Sequence, residues 1–191
     1  MNVLSTDHCI LDSYYHGNYE NRVIVMNPDV LKPQYRNEQG QLWLGGSGFG
    51  CDPSLNGRAV NATCLFDGEH AEWRRENFLG VIDPEALPEW ARIKLGSMSL
   101  HRTYSTYEYV GYSFLPDGMH GPGVHLRDVK SVAEYVELQS IYQHRVMICD
   151  AMDCCVLEIQ ERTLIFPSSD EARGLSNFLE SLEDNGGIKM T

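Results

Sequence analysis

The sequence predicts an α+β protein of two small subdomains, and three observations predict it. In residues 1–96, short β-branched or alternating runs bounded by Gly, Pro, Asn and Asp dominate, with room for one short helix. Residues 97–191 read instead as a strand, an amphipathic helix, a three-stranded antiparallel meander and a last helix. The change of texture falls at Leu95 to Ser99, which makes that stretch the expected boundary between a mostly β first subdomain and an α+β second one.

No element is assigned to the polar, tyrosine-rich residues 1–21. Arg22 to Met26 (RVIVM) is a strand, stopped by Asn27-Pro28. This pair is an N-cap followed by a proline that loses no hydrogen bond at the first helical position, so one helical turn over Pro28 to Leu31 is expected. Asn37-Glu38-Gln39-Gly40 is a turn leading into a strand at Gln41 to Leu44.

Next comes WLGGSGFGCDP, Trp43 to Pro53, with Gly45, Gly46, Gly48 and Gly50 close together. Such a stretch either lets a phosphate approach the backbone or turns the chain tightly. It matches neither GxGxxG nor GxxxxGK[ST], because no Lys-Ser/Thr pair follows the last glycine, and it reads as a structural turn that packs Trp43 and Phe49 on the first core.

Arg58 to Phe66, the Asp67-Gly68 turn and Glu69 to Trp73 read as a hairpin, and Phe78 to Ile82 as a further strand. Asp83-Pro84 and Leu87-Pro88 resemble helix starts and Gly96 a stop, giving a short helix that ends near Leu95. Tyr104 to Leu115 alternates aromatic and polar residues as a strand or a bent hairpin does, with Gly111 as a candidate bulge, and Pro116 to Gly123 is a loop.

Leu126, Val129, Val132, Ala133, Val136 and Ile141 recur near helical spacing and predict a helix over 127–142. His144 to Cys149, Cys154 to Gln160 and Thr163 to Phe166 form the meander, with Cys155, Leu157 and Ile159 on its inner face. Ser168 and Glu171 make a capping box for the last helix, whose stripe is Leu175, Phe178, Leu179 and Leu182.

An apolar content of 42% argues for a folded core, and 27 acidic against 15 basic side chains leave a formal charge of -12. Such a surface repels free nucleic acid and attracts basic partners. No signal-peptide pattern opens the sequence, and no apolar run approaches the roughly 20 residues of a membrane helix, so no membrane partner and a cytoplasmic location are expected. The six cysteines lack a regular framework and read as reduced thiols.

Candidate chemistry is sparse. His120 and His125, and Cys149-Asp150 with Asp153-Cys154-Cys155, carry metal-ligating atoms, but a metal needs three or four converging ligands, turn chemistry and burial account for the second cluster, and no metal is assigned. Cys51 or Cys64 would need His16 or His70 as a base to act as a nucleophile. Carboxylates spaced along helix faces, Glu134 and Glu137 on the middle helix and Asp170, Glu171, Glu180, Glu183 and Asp184 on the last, can imitate a phosphate backbone.

Tyr15-His16-Gly17 is similar to the Tyr-His-Gly strand with which some ADP-ribosyltransferases hold the nicotinamide end of NAD. That resemblance implies a nucleotide- or nucleic-acid-modifying enzyme with His16 and Glu108 or Glu158 in its site, although the later Ser-rich strand of that family is not evident. NRVIVMNPDVLKPQYR (Asn21 to Arg36), QLWLGGSGFGCDPSLNGRAV (Gln41 to Val60) and CLFDGEHAEWRRENFLGVI (Cys64 to Ile82) resemble a family of accessory domains carried by phages, plasmids and conjugative elements of Gram-positive bacteria, sometimes inside large polyvalent proteins. VMICDAMDCCVLEIQERTLIFP (Val146 to Pro167) is similar to another small mobile-element module.

These resemblances imply an anti-defence factor in a bacterial host cell: an anti-CRISPR protein that binds a type II RNA-guided nuclease, with or without its guide RNA, and blocks guide loading or target-DNA engagement. Its partner-binding residues would be Glu134, Glu137, Glu180, Glu183 and Asp184, with Trp43 and Phe49 as uncharged contacts. No catalytic residue and no cofactor is assigned. A structural adaptor of a mobile element is the other alternative.

Overall fold

The computed structural model describes residues 3–10, 19–46, 59–98 and 107–167. The fold is α+β, with strands in two antiparallel sheets. The chain divides into two compact units, Met1–Ala91 and Arg92–Thr191, and the division falls within a helix, Glu89–Ser97.

The first unit is built on a six-stranded sheet in which β1 (Cys9–Ile10), β6 (Phe78–Ile82), β2 (Val23–Met26), β3 (Leu42–Gly45), β4 (Ala59–Cys64) and β5 (His70–Arg74) follow in that spatial order. β2 and β3 are central and buried on both faces, which is why they read as continuous apolar runs instead of alternating ones. β4 alternates, as a strand toward the sheet margin does. One core joins Tyr19, Ile24, Met26, Trp43, Val60, Cys64, Phe78 and Val81. Trp43 meets Trp73 edge-on at 5.3 Å.

Several local expectations change. Residues 3–10 hold a turn, Thr6–His8, and β1, which pairs with β6. This segment has little apolar pattern of its own. It is held from outside by Gln41, whose buried amide accepts from Leu4 N–H at 2.8 Å and donates to Leu4 O and Met26 O at 3.0 Å each.

The expected turn at Asn37 to Gly40 is a single helical turn, α1 (Glu38–Gln41), capped by the Asn37 side chain on Gly40 N–H at 3.0 Å, and the strand therefore begins one residue later. The hairpin β4–β5 and strand β6 form as expected. Asn27 and Asp83 cap short turns by accepting from Asp29 and Glu85 N–H. Gly96 does not stop its helix: α2 (Glu89–Ser97) runs through it, and a Cβ there would stand 3.1 Å from the Ser113 side chain, so close packing is its role.

The second unit holds a five-stranded sheet ordered β11 (Thr163–Phe166), β10 (Cys155–Gln160), β9 (Arg145–Asp150), β7 (Tyr109–Phe114) and β8 (Val124–Leu126). The expected meander is β9–β10–β11. β8 is an addition: Leu126, counted toward the helical stripe, lies in this strand opposite Tyr109. The helix α3 (Val129–Tyr142) starts two residues later than expected, because Asp128 caps it, accepting from Ser131 N–H at 2.9 Å while the Ser131 hydroxyl accepts from Asp128 N–H.

α3 covers one sheet face, where Val132, Tyr135 and Val136 join Val124, Leu126, Val146, Ile148, Leu157, Ile159 and Leu164. Gly111 is not a bulge, since β7 and β9 pair without interruption from Tyr109 to Phe114. A Cβ there would lie 2.5 Å from the Tyr135 ring. Tyr135 fills that space and shares a 2.6 Å hydrogen bond with Ser113.

Gln139 and Gln143 are buried. They donate to Leu95 O at 2.8 Å and Arg92 O at 3.0 Å, joining the end of α2 to α3. The last expected helix, with its capping box, lies outside the described residues. No helix among the described residues is long and apolar enough to cross a membrane.

Candidate functional site

Strand alternation places Val110, Tyr112 and Phe114 of β7, Arg145, Met147 and Cys149 of β9, and His125 of β8 on the sheet face opposite α3. This outer face carries a connected set of rings and charges. Tyr107 stacks on His125 with centroids 3.8 Å apart and planes 17° apart. His120 stands edge-on to Tyr112 at 5.8 Å and tilted against Phe114 at 5.0 Å. The Arg145 guanidinium lies 4.9 Å over the Phe114 ring, and its Nε is 2.8 Å from Glu158 Oε1.

The arrangement suits contact more than reaction. Tyr107, His120 and His125 are exposed, and aromatic side chains at a surface provide large contact area with few rotatable bonds. Arg145 and Glu158 answer each other's charge, so the guanidinium is not a ready phosphate clamp, and Glu158, a candidate catalytic carboxylate, is already bound. Tyr112 is raised above its ordinary value by desolvation and then by the charge of Asp153, so it remains a neutral hydroxyl.

A second exposed feature is the acidic hairpin β4–β5 of the first unit, with Asp67, Glu69 and Glu72. Asp67 Oδ1 accepts from Glu69 N–H at 3.0 Å and Oδ2 from the Tyr35 hydroxyl at 2.7 Å. These bonds hold its carboxyl below the usual range, and the same contact raises Tyr35.

The residues expected to bind a partner are placed differently. Trp43 is 2% exposed and its indole N–H donates to Gly40 O at 2.8 Å, so it cannot be a surface contact; its ring belongs to the core because β3 is buried on both faces. Glu134 and Glu137 lie on α3 but are half-buried, and Glu134 is 3.9 Å from Lys130, so α3 does not offer a bare acidic ridge. Phe49, Glu180, Glu183 and Asp184 lie outside the described residues, as do His16 and Cys51.

The cysteine and histidine candidates separate too. Cys64 points into the core and burial pushes its thiol up to about 11, whereas His70 meets the Thr63 hydroxyl on the opposite strand face at 2.8 Å. His120 and His125 engage different rings. Asp150 serves the hairpin corner, accepting from Met152 and Cys154 N–H at 2.9 Å each. Among the described residues, no three His, Cys, Asp or Glu side chains converge to hold a metal.

Sequence reasoning missed the outer face, although the alternation of Tyr112 and Phe114 carried a trace of it. No known family model, curated protein or solved structure matches the chain.

Proposed function

We propose that this chain is an accessory, anti-defence protein of a mobile genetic element that binds a type II RNA-guided nuclease and prevents guide loading or target-DNA engagement. The observation that carries the reading is charge: a formal -12 overall, with Asp67, Glu69 and Glu72 exposed at one hairpin. An RNA-guided nuclease holds its nucleic acids in a basic channel, and an acidic surface is drawn to such a channel over a range of about a Debye length. The hairpin replaces α3 as the favoured acidic contact, and the ring-bearing sheet face offers an aromatic surface of the kind enriched at interface centres.

The test is target cleavage by the purified nuclease, with the protein added before or after guide RNA, alongside co-elution of the two. Inhibition that saturates at one protein per nuclease, and a complex that survives gel filtration, are expected. Unaffected cleavage without a complex removes the proposal, and inhibition at far lower than equimolar amounts replaces binding with an enzymatic mode.

A further inference from the structure

Cys149 and Cys155 face each other across β9 and β10. In the register of that pair Cys149 lies opposite Cys155, yet Leu157 lies opposite Ile148, so Val156 is the extra residue of a β-bulge. Strict alternation would put Cys155 on the core face with Leu157 and Ile159. The bulge turns Val156 toward that core, against which it packs, and leaves Cys155 on the outer face with Cys149.

Asp150 N–H donates to Cys154 O at 2.9 Å just beyond the pair, so the two cysteines occupy a position without ladder hydrogen bonds of its own. Facing Cα atoms at such positions stand about 4.5 Å apart, inside the span of a disulfide. Both thiols are free; Cys149 is buried and Cys155 half-buried.

We propose that Cys149 and Cys155 form a dithiol–disulfide site that reacts with small-molecule or protein disulfides, glutathione disulfide being the simplest. The more accessible Cys155 thiolate attacks one glutathione sulfur. The S–S bond of the reagent breaks, one glutathione thiolate leaves, and a mixed disulfide forms on Cys155. The Cys149 thiolate then attacks Cys155 Sγ, the mixed bond breaks, and the second glutathione leaves. Two electrons pass from the cysteine pair to the reagent, and the two cysteine protons end on the two released thiols. Cys154 is exposed and its Sγ lies 3.9 Å from Met152 O, in the turn and away from the ladder. The inference depends on no reading of the chain's function.

The full chain is treated with glutathione disulfide and followed by intact mass and fragmentation. Expected are loss of two hydrogens, a bond mapped to Cys149 and Cys155, reversal by dithiothreitol, and the same bond in Cys154→Ser. Cys149→Ala should halt at one glutathione on Cys155. Wild-type protein that keeps a stable glutathione on Cys155, or a bond that maps to Cys154, overturns the proposal. Phenylarsine oxide, which bridges two adjacent thiols, gives a check on unsubstituted protein: joint protection of Cys149 and Cys155 from alkylation supports the site, and protection of neither removes it.

Discussion

At the scale of single residues, space and solvation decide most roles. Gly111 is needed because the Tyr135 ring occupies the volume of its absent side chain, at 2.5 Å from an ideal Cβ. Gly111→Ala should destabilise the second unit by about 1–3 kcal/mol through overpacking, read as a lower urea midpoint; an unchanged midpoint would mean the ring moves aside freely. Burial likewise sets the thiols. Cys9, Cys64 and Cys149 are each pushed from an ordinary 9.0 up to about 11 by desolvation. Because the folded value is the higher one, their contribution to stability is present below pH 9.0 and lost as pH rises toward about 11. Thiolate absorbance checks this: the folded protein should ionise these groups later than the same protein in urea.

At the scale of elements, caps and turns were the most readable features, because their chemistry is local. Asn27 and Asp83, legible as caps, do cap the turns that follow them, whereas Asp128, inside the span expected to be helical, is the cap of α3. The two-residue turn between β10 and β11 is the exception in composition. Glu161 and Arg162 both adopt left-handed backbone, with φ of 49° and 63°, where a hairpin turn of this kind usually carries Asn-Gly. Arg162→Gly should therefore raise stability by about 0.5–1 kcal/mol, the left-handed strain removed less the entropy glycine adds to the unfolded chain. Chemical denaturation of the full chain measures it, and a loss of stability would show that Arg162 makes compensating contacts.

At the scale of the whole molecule, charge is the property with the longest reach. A formal -12 on 191 residues should make association with a basic partner depend on salt. If the proposed nuclease complex forms, its association rate should fall by about tenfold between low and physiological salt while its dissociation rate changes little. Stopped-flow or surface-binding kinetics across a salt series reads both constants. A salt-independent rate would move the weight of recognition from the acidic hairpin to the rings Tyr107, Tyr112, His120 and His125. Reversing charge at Asp67, Glu69 and Glu72 separates these cases.

Within the sequence by itself, local periodicity, turn chemistry or a sum over residues sufficed for the α+β class, the meander, the hairpin at Asp67-Gly68, the amphipathic helix within 127–142 and the acidic surface. What it left open was decided by contacts distant along the chain. β1 exists through pairing with β6, and Leu4 is fastened by Gln41, 37 residues away. Trp43, expected to pack on the first core and also named as a partner contact, is fixed as core alone once both faces of β3 are covered. The outer ring face depends on the pairing of β7 with β8 and β9, and the Cys149–Cys155 pair on a register that a single bulged residue, Val156, shifts by one position. A period-2 pattern cannot show such a shift, because the side-chain face is set by the partner strand as much as by the strand itself.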